Sequence, residues 1–446
     1  MEFPLAAKSQ TVDIGALLDR SAFTFLQKWV VALAAASVIS AGLDVTLIGF
    51  VIPEMSRQWG ILGKGFAPAV TAGMIGMVIG SAYAGMIADK LGRRRAVIGS
   101  VLVFGLATAC VSLAHGIGSL GLFLFFSGVG ISGALPTFST LVAEFTPARL
   151  RTIAVTCTIV CVSCGGMFAG LIAATVLPAY GWPVLFLIGG AIPIVLCVLL
   201  FFSLPESPRF LARDSNRWPE LARLVARMSQ AAGPETQFTD CAEAGIPSHV
   251  RMSALLSHEF RRDTLALWTA FLVCLFSIYT IFNWLPTMLV FTGVASTNAS
   301  LALAAWNAGG VAGAVVVSLI IARFGSRWPL IGCCALGSLT TLAAAQPTIA
   351  SHFRLLMAAL IAYGFFINAV QSTLFALCAF VYPTPIRARG VACAVSLGQV
   401  GAVLAGIAGA LALSSSSTRF YLMLSGALLL VLTSLATIRR HIPANR

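Results

Sequence analysis

Long uncharged stretches dominate this chain and decide what it can become. Twelve apolar spans recur near residues 30–52, 68–88, 96–114, 119–143, 152–176, 183–204, 265–290, 299–322, 329–347, 355–381, 391–413 and 420–438. An α-helix of about 20 residues, rising about 1.5 Å per residue, crosses a hydrocarbon core of roughly 30 Å. A membrane β-barrel would instead show segments of about ten residues with alternating polarity, and these runs do not alternate. Composition agrees: 10% of residues are charged, against about 25% in a soluble domain. The expected fold is all-α and integral to a membrane, with twelve transmembrane helices.

The charges report the topology. Net charge is +13, which in a soluble protein would suggest nucleic acid as a partner. Their placement points elsewhere. With the N-terminus on one side of twelve spans, 24 of the 28 Lys and Arg fall on that side, and only Arg57, Lys64, Arg354 and Arg419 fall on the other. Basic residues collect on the cytoplasmic side of membrane proteins. Both termini are therefore expected in the cytoplasm of a protein of the cell's inner membrane, with the lipid bilayer rather than nucleic acid as its surroundings. The first 28 residues are polar and mixed in charge, so no cleavable signal is expected there.

The spans divide into halves. Polar residues 205–264 separate the sixth from the seventh and contain RDSNRWPELARLVARMSQ, with Leu221, Leu224, Val225 and Met228 at amphipathic helical spacing. The expected order is a tail (1–28), a six-helix bundle (29–204), a cytoplasmic linker with short surface helices (205–264), a second bundle (265–438) and a tail (439–446). The halves repeat one another. GMIADKLGRRRA follows span 2 and SLIIARFGSRWP follows span 8, so Gly92 matches Gly325 at an offset of 233. EFTPARLRT follows span 4 and YPTPIRARG follows span 10, matching Pro147, Arg149 and Arg151 with Pro385, Arg387 and Arg389 at an offset of 238. Two joints with nearly one offset imply a duplicated half, with a site expected between the halves near the midplane.

These motifs carry a resemblance. The loop after span 2 resembles the signature of the major facilitator superfamily. GLDVTLIGFVIP, GVGISGALPTFSTLVAEFTPARLR, YTIFNWLPTML and YPTPIRARGVACAVSLGQVGA resemble its aromatic acid:proton symporters, and LPESPRFL is shared with sugar porters. The resemblance implies two pseudo-symmetric six-helix bundles working as a monomer. It implies proton-coupled uptake of a small aromatic or related organic acid by alternating access, with a small organic solute and protons as partners and no cofactor. Three positions depart from the pattern. Ala41 stands where the symporters carry the first acid of a D-G-x-D pair, and Leu124 and Gln399 stand where they carry Arg. Two basic residues that would answer a substrate carboxylate are therefore absent.

Asp44 is the acid that lies deep in a span, three residues from the midpoint of the run 29–53, which carries no Lys or Arg. An acid at that depth costs about 2.5–3.5 kcal/mol on insertion scales. A carboxyl that loads a proton facing one side and releases it facing the other would justify that cost. The competing reading is an acid held in a fixed hydrogen bond or facing a water-filled vestibule. Candidate substrate contacts are Tyr279 and Asn283 on span 7, Asn307 beside Trp306 on span 8, Asn368 and Gln371 on span 10, and Gln399 on span 11. Amides facing lipid would be costly, so these should face the interior, where the alternative role is helix–helix bonding. Trp284 is expected nearer the outer interface, where Trp is enriched.

Charges at the joints suggest gating. Asp89 beside Arg93 after span 2 could pair when one face closes and part when it opens. Glu144, Arg149 and Arg151, with Glu206 and Arg209 of PESPR, could form a second network; singly, such charges contribute little. GVGISG at 128–133 fits a nucleotide-binding pattern, but no strand precedes it, and its glycines suit close helix packing. Cys157, Cys161 and Cys164 share a helical face, and without a His or a second Cys pair they read as packing residues rather than a metal site. His115 and His352 lie in short loops without a metal or triad pattern. No P-loop or catalytic constellation occurs, which argues against an ATP-driven pump or a membrane enzyme. Alternatives to uptake of an acid are efflux or uptake of a neutral solute, and a non-transporting sensor on the same fold.

Overall fold

The computed structural model describes residues 11–20, 23–228, 237–239, 255–382, 384–413 and 416–443. Among these, ten helices are long and apolar enough to cross a membrane. One of them, Ala148–Ser203, has 56 residues and breaks at Gly181 (φ 77°, ψ 177°), which divides it into spans 5 and 6. The 18-residue helix Arg327–Ala344 is span 9 and completes twelve. The others are Phe25–Trp59 (span 1), Ala67–Leu91 (2), Arg93–Val111 (3), Ile117–Phe145 (4), Arg261–Phe291 (7), Ser296–Phe324 (8), Phe353–Val381 (10), Thr384–Leu413 (11) and Ser417–Thr437 (12). With twelve spans, the described segments before span 1 and after span 12 lie on one side, called here the terminal face.

Lipid is as apolar as leucine, so helices in a membrane associate through close packing and polar contacts rather than through hydrophobicity. The GVGISG glycines serve that packing. A Cβ on Gly128 would sit 2.1 Å from the Gly73 carbonyl of span 2, and one on Gly130 would sit 2.6 Å from the Phe104 nitrogen of span 3. Trp284 differs from expectation: it is fully buried rather than interfacial. Its indole donates to the Ala405 carbonyl at 3.2 Å, and its ring fills the space a side chain on Gly409 would need.

The repeated joint after spans 2 and 8 is one backbone device used twice. Gly92 (φ 98°, ψ 154°) and Gly325 (φ 78°, ψ 172°) both occupy a region open essentially to glycine alone. Each turn therefore swings directly from one span into the next.

The two bundles meet mainly away from the terminal face. Gly49 of span 1 lies against the Phe282 carbonyl of span 7, Thr71 of span 2 against Gly406 of span 11, and Gly170 of span 5 against Ser300 and Ala304 of span 8. The contact nearest the midplane is Ser163 of span 5, whose hydroxyl donates to Asn368 Oδ1 at 3.3 Å. Spans 4 and 10 make no substantial packing on each other. The close contacts between the bundles thus concentrate toward the far face. On the terminal face, strand Thr11–Asp13 pairs in parallel with Gln237–Thr239, and helix Trp218–Met228 buries Leu221, Leu224, Val225 and Met228.

Candidate functional site

Span 1 presents different faces to its neighbours. Gly42 backs onto Val162 of span 5, and Gly49 backs onto span 7. At 3.6 residues per turn, Asp44 lies about 140° around the helix from Gly49. It therefore points into its own bundle. Thr108 of span 3 donates to Oδ1 at 2.7 Å, Ser127 of span 4 donates to Oδ2 at 2.5 Å, and the two hydroxyls stand 3.2 Å apart. Asp44 is 7% exposed. In this conformation both carboxyl oxygens are engaged, and the two partners come from spans 3 and 4 of the same bundle.

The second half is arranged differently. Tyr279, Asn283 and Thr287 recur every fourth residue on span 7, and Thr287 donates to the Gly49 carbonyl at 3.3 Å. That stripe faces span 1. Asn283 is fully buried, and neither its Nδ2 nor its Oδ1 has a hydrogen-bond partner among the described residues. Tyr279 stands edge-on to Phe282 (5.9 Å between ring centres), Phe282 edge-on to Trp306 (5.4 Å), and Trp306 lies 6.4 Å from Tyr363. Trp306 Nε1 and Asn307 Oδ1 are likewise buried without partners. Asn307 Nδ2 donates to the Leu303 carbonyl at 3.0 Å.

Gln371 and Gln399 lie nearer the terminal face, beside an earlier turn of span 7. Gln371 is one turn from Phe375, which stands edge-on to Phe271 at 5.2 Å, and Gly398 beside Gln399 faces the Phe271 carbonyl. Both amide atoms of Gln371 and Oε1 of Gln399 are buried without partners. Asn368 is different. Its Nδ2 donates to Gly364 at 3.0 Å and its Oδ1 accepts from Ser163, so it joins the bundles. The six side chains thus occupy two levels of span 7, and five of them carry no bond between bundles.

Charges on the terminal face also sort themselves. Arg93 donates to Asp89 Oδ1 at 2.5 Å and stands 3.7 Å from Glu144 Oε1. Ser207 donates to Glu144. Glu206 Oε1 accepts from the backbone N–H groups of Arg94 and Ser207, each at 3.0 Å. Arg213 reaches Asp89 at 4.0 Å. Asp89, Arg93, Glu144 and Glu206 therefore form one network that ties the span 2–3 joint to the segment after span 6. Arg209 lies half-buried on the short helix Pro208–Ala212. Arg149 is exposed, and Arg151 leaves the network to pair with Asp19 and to donate to the Ala143 carbonyl at 2.9 Å. Each of these bonds stays on the N-terminal half and its flanking segments.

Thr108, Ser127, Ser163, Ser207 and Phe282 were not legible as site residues. Thr108 and Ser127 lie 64 and 83 residues from Asp44, and hydroxyls are common inside apolar helices. No local spacing singles them out.

The chain's likenesses to known proteins cover most of its length. The profile of the Major Facilitator Superfamily matches residues 34–295 and 288–445. A gallate transporter of Pseudomonas putida is 30% identical over 90% of this chain and 89% of that protein. The 4-hydroxybenzoate transporter PcaK of Acinetobacter baylyi is 30% identical over 92% of this chain and 90% of its own. Among solved structures, the inward-open xylose transporter XylE of Escherichia coli superposes with a TM-score of 0.74 at 15% identity, covering 93% of this chain and 97% of that one. That last likeness bears on fold alone, and it matches the two bundles and twelve spans described above. With sequence and fold in agreement, the chain belongs to the Major Facilitator Superfamily, a family of transporters.

Proposed function

We propose that this protein is a secondary active transporter that moves a small aromatic acid or related aromatic compound by alternating access, driven by protons. One observation supports the reading above others. The close contacts between the bundles concentrate on one face, and buried amides of the second half with no partner among the described residues lie near their junction. An unpartnered buried polar group costs about 1–3 kcal/mol. Amides and aromatic rings at a bundle junction suit a flat solute with polar edges. The gallate and 4-hydroxybenzoate transporters named above match the chain at nearly full length.

In this reading Asp44 couples protons, with Thr108 and Ser127 holding its carboxylate when the terminal face is open. Tyr279, Asn283, Asn307, Gln371 and Gln399 contact the solute, while Asn368 closes on Ser163 between bundles. Asp89, Arg93, Glu144 and Glu206 gate the terminal face, with Arg149, Arg151 and Arg209 at its rim. The basic excess orients that face to the cytoplasm of an inner membrane, and the working unit is a monomer. The boundaries 1–28, 29–204, 205–264, 265–438 and 439–446 describe its parts.

Uptake into proteoliposomes tests the reading. The panel pairs 4-hydroxybenzoate, gallate and benzoate with their carboxamides, with and without an inward proton gradient. Gradient-driven accumulation of at least one compound is expected. Uptake indifferent to the gradient rejects proton coupling, and no flux of any compound rejects aromatic transport.

A further inference from the structure

The chemistry of the partnerless groups narrows the cargo. Asn283 and Gln371 each leave both amide atoms, a donor and an acceptor, without a partner among the described residues, and both are at least nine-tenths buried. Side by side on one planar group, those atoms form a donor–acceptor pair. A carboxylate carries acceptors only. Docked against a primary amide it satisfies the N–H and sets its second oxygen against the amide oxygen. A primary carboxamide, or an undissociated carboxylic acid, satisfies both atoms at once.

Charge argues the same way. Residues 29–56, 263–322, 355–386 and 390–418 contain no Lys, Arg or His. The carboxyl group at depth in those stretches is that of Asp44, of the same sign as a substrate carboxylate when ionised. An anion brought into such a site leaves water without gaining a counter-ion, which is the expensive case. The aromatic run from Tyr279 through Phe282 to Trp306 supplies ring contacts that are indifferent to the head group.

Resting on the transport reading above, we propose that the site selects an aromatic compound whose head is an uncharged donor–acceptor pair, a primary carboxamide at neutral pH, over the matching carboxylate. The undissociated acid presents the same head and binds as pH falls.

Equilibrium binding to the purified full-length protein tests this with benzamide against benzoate and 4-hydroxybenzamide against 4-hydroxybenzoate. At about pH 7.5 each carboxamide is expected to bind about tenfold or more tightly than its acid. Between about pH 7.5 and about pH 5.5 the carboxamide affinity should stay level, while the acid gains about tenfold per pH unit as its neutral fraction grows. Asn283→Leu should erase the preference for the carboxamide, and Asn283→Ala provides the same readout should that variant fail to fold. A carboxylate bound as tightly as its carboxamide at about pH 7.5, with no dependence on pH, overturns the inference and leaves the transport reading standing. Binding of none of the four overturns the transport reading itself.

Discussion

The two halves descend from one pattern and treat buried polarity in opposite ways. In the first, Asp44 has both oxygens bonded by Thr108 and Ser127. In the second, Asn283 and Gln371 have no partner for either amide atom. The joints differ similarly. Gly92 and Gly325 turn the chain alike, but Asp89 before the first has Ala322 at the matching place before the second. Each joint also receives the segment that follows its bundle. Glu206, after span 6, caps the Arg94 N–H with a carboxylate. After span 12, Ile442 exchanges neutral bonds with Ser326, its carbonyl accepting from the backbone N–H at 2.9 Å and its own N–H donating to the hydroxyl at 3.0 Å. The deepest acid of the first half is thus held by hydroxyls, while Asn283 and Gln371 of the second keep open hydrogen-bonding capacity at the junction. A transporter needs both: a part that holds its geometry and a part whose bonds await a solute.

That contrast can be broken by substitutions of opposite sign. Asp44→Leu strands two buried hydroxyls and should destabilise the solute-free protein by about 1–3 kcal/mol, whereas Asn283→Leu removes two unsatisfied atoms and should stabilise it by a similar amount. Melting temperatures in detergent check this; a fall in both would mean that Asn283 contributes to folding as much as Asp44 does. The paired glycines sharpen the comparison. Alanine at either Gly92 or Gly325 should cost about 1–3 kcal/mol in backbone strain. Gly92→Ala should be the worse, because its Cβ would lie 2.3 Å from Glu206 Oε2. Equal losses would show that the ionic joint yields easily.

A smaller effect separates the tethers. Glu206→Gln weakens charge-assisted bonds worth about 1.5–3 kcal/mol, against about 0.5–1.5 kcal/mol for the neutral Ser326 bonds lost in Ser326→Ala. Hydrogen exchange at the two joints should rank the variants in that order. The smallest effect is acidic. Burial, with Arg327 nearby, holds the His441 imidazole below the ordinary histidine range. Its folded form favours the neutral ring, so its contribution is full above that range and is lost as pH falls through it. Protection from exchange in residues 438–443, taken relative to the intrinsic rate at each pH, should fall below about pH 6 while that of the Glu206 joint stays unchanged. Equal loss of protection at both would remove His441 from the explanation.

The fold was legible because bilayer thickness forces a length and charge forces a side. Spans 5 and 6 could be separated in the sequence around Gly181 even though they run on as one 56-residue helix broken there. The repeat was legible because Gly92 and Gly325 are required by their backbone angles, so the residue type marks the conformation. Side-chain direction was harder to read. Asp44 stood out by depth, but its bonding to Thr108 and Ser127 depends on rotation about span 1 and on helices far away in sequence. Trp284 looked interfacial because aromatic belts are the common case, and the gap at Gly409 that buries it is a pairwise fit. Arg149 and Arg151 share a motif with Glu144, but their side chains leave in different directions, and motif proximity says nothing of that.

The most direct test of proton coupling compares wild type with Asp44→Asn in proteoliposomes, using the panel compound taken up best. The account predicts that the variant exchanges labelled for unlabelled solute at a rate near wild type. It predicts too that concentrative uptake under a proton gradient falls to the no-gradient level. Full gradient-driven accumulation by Asp44→Asn would contradict it, leaving Asp44 as a structural acid fixed by Thr108 and Ser127.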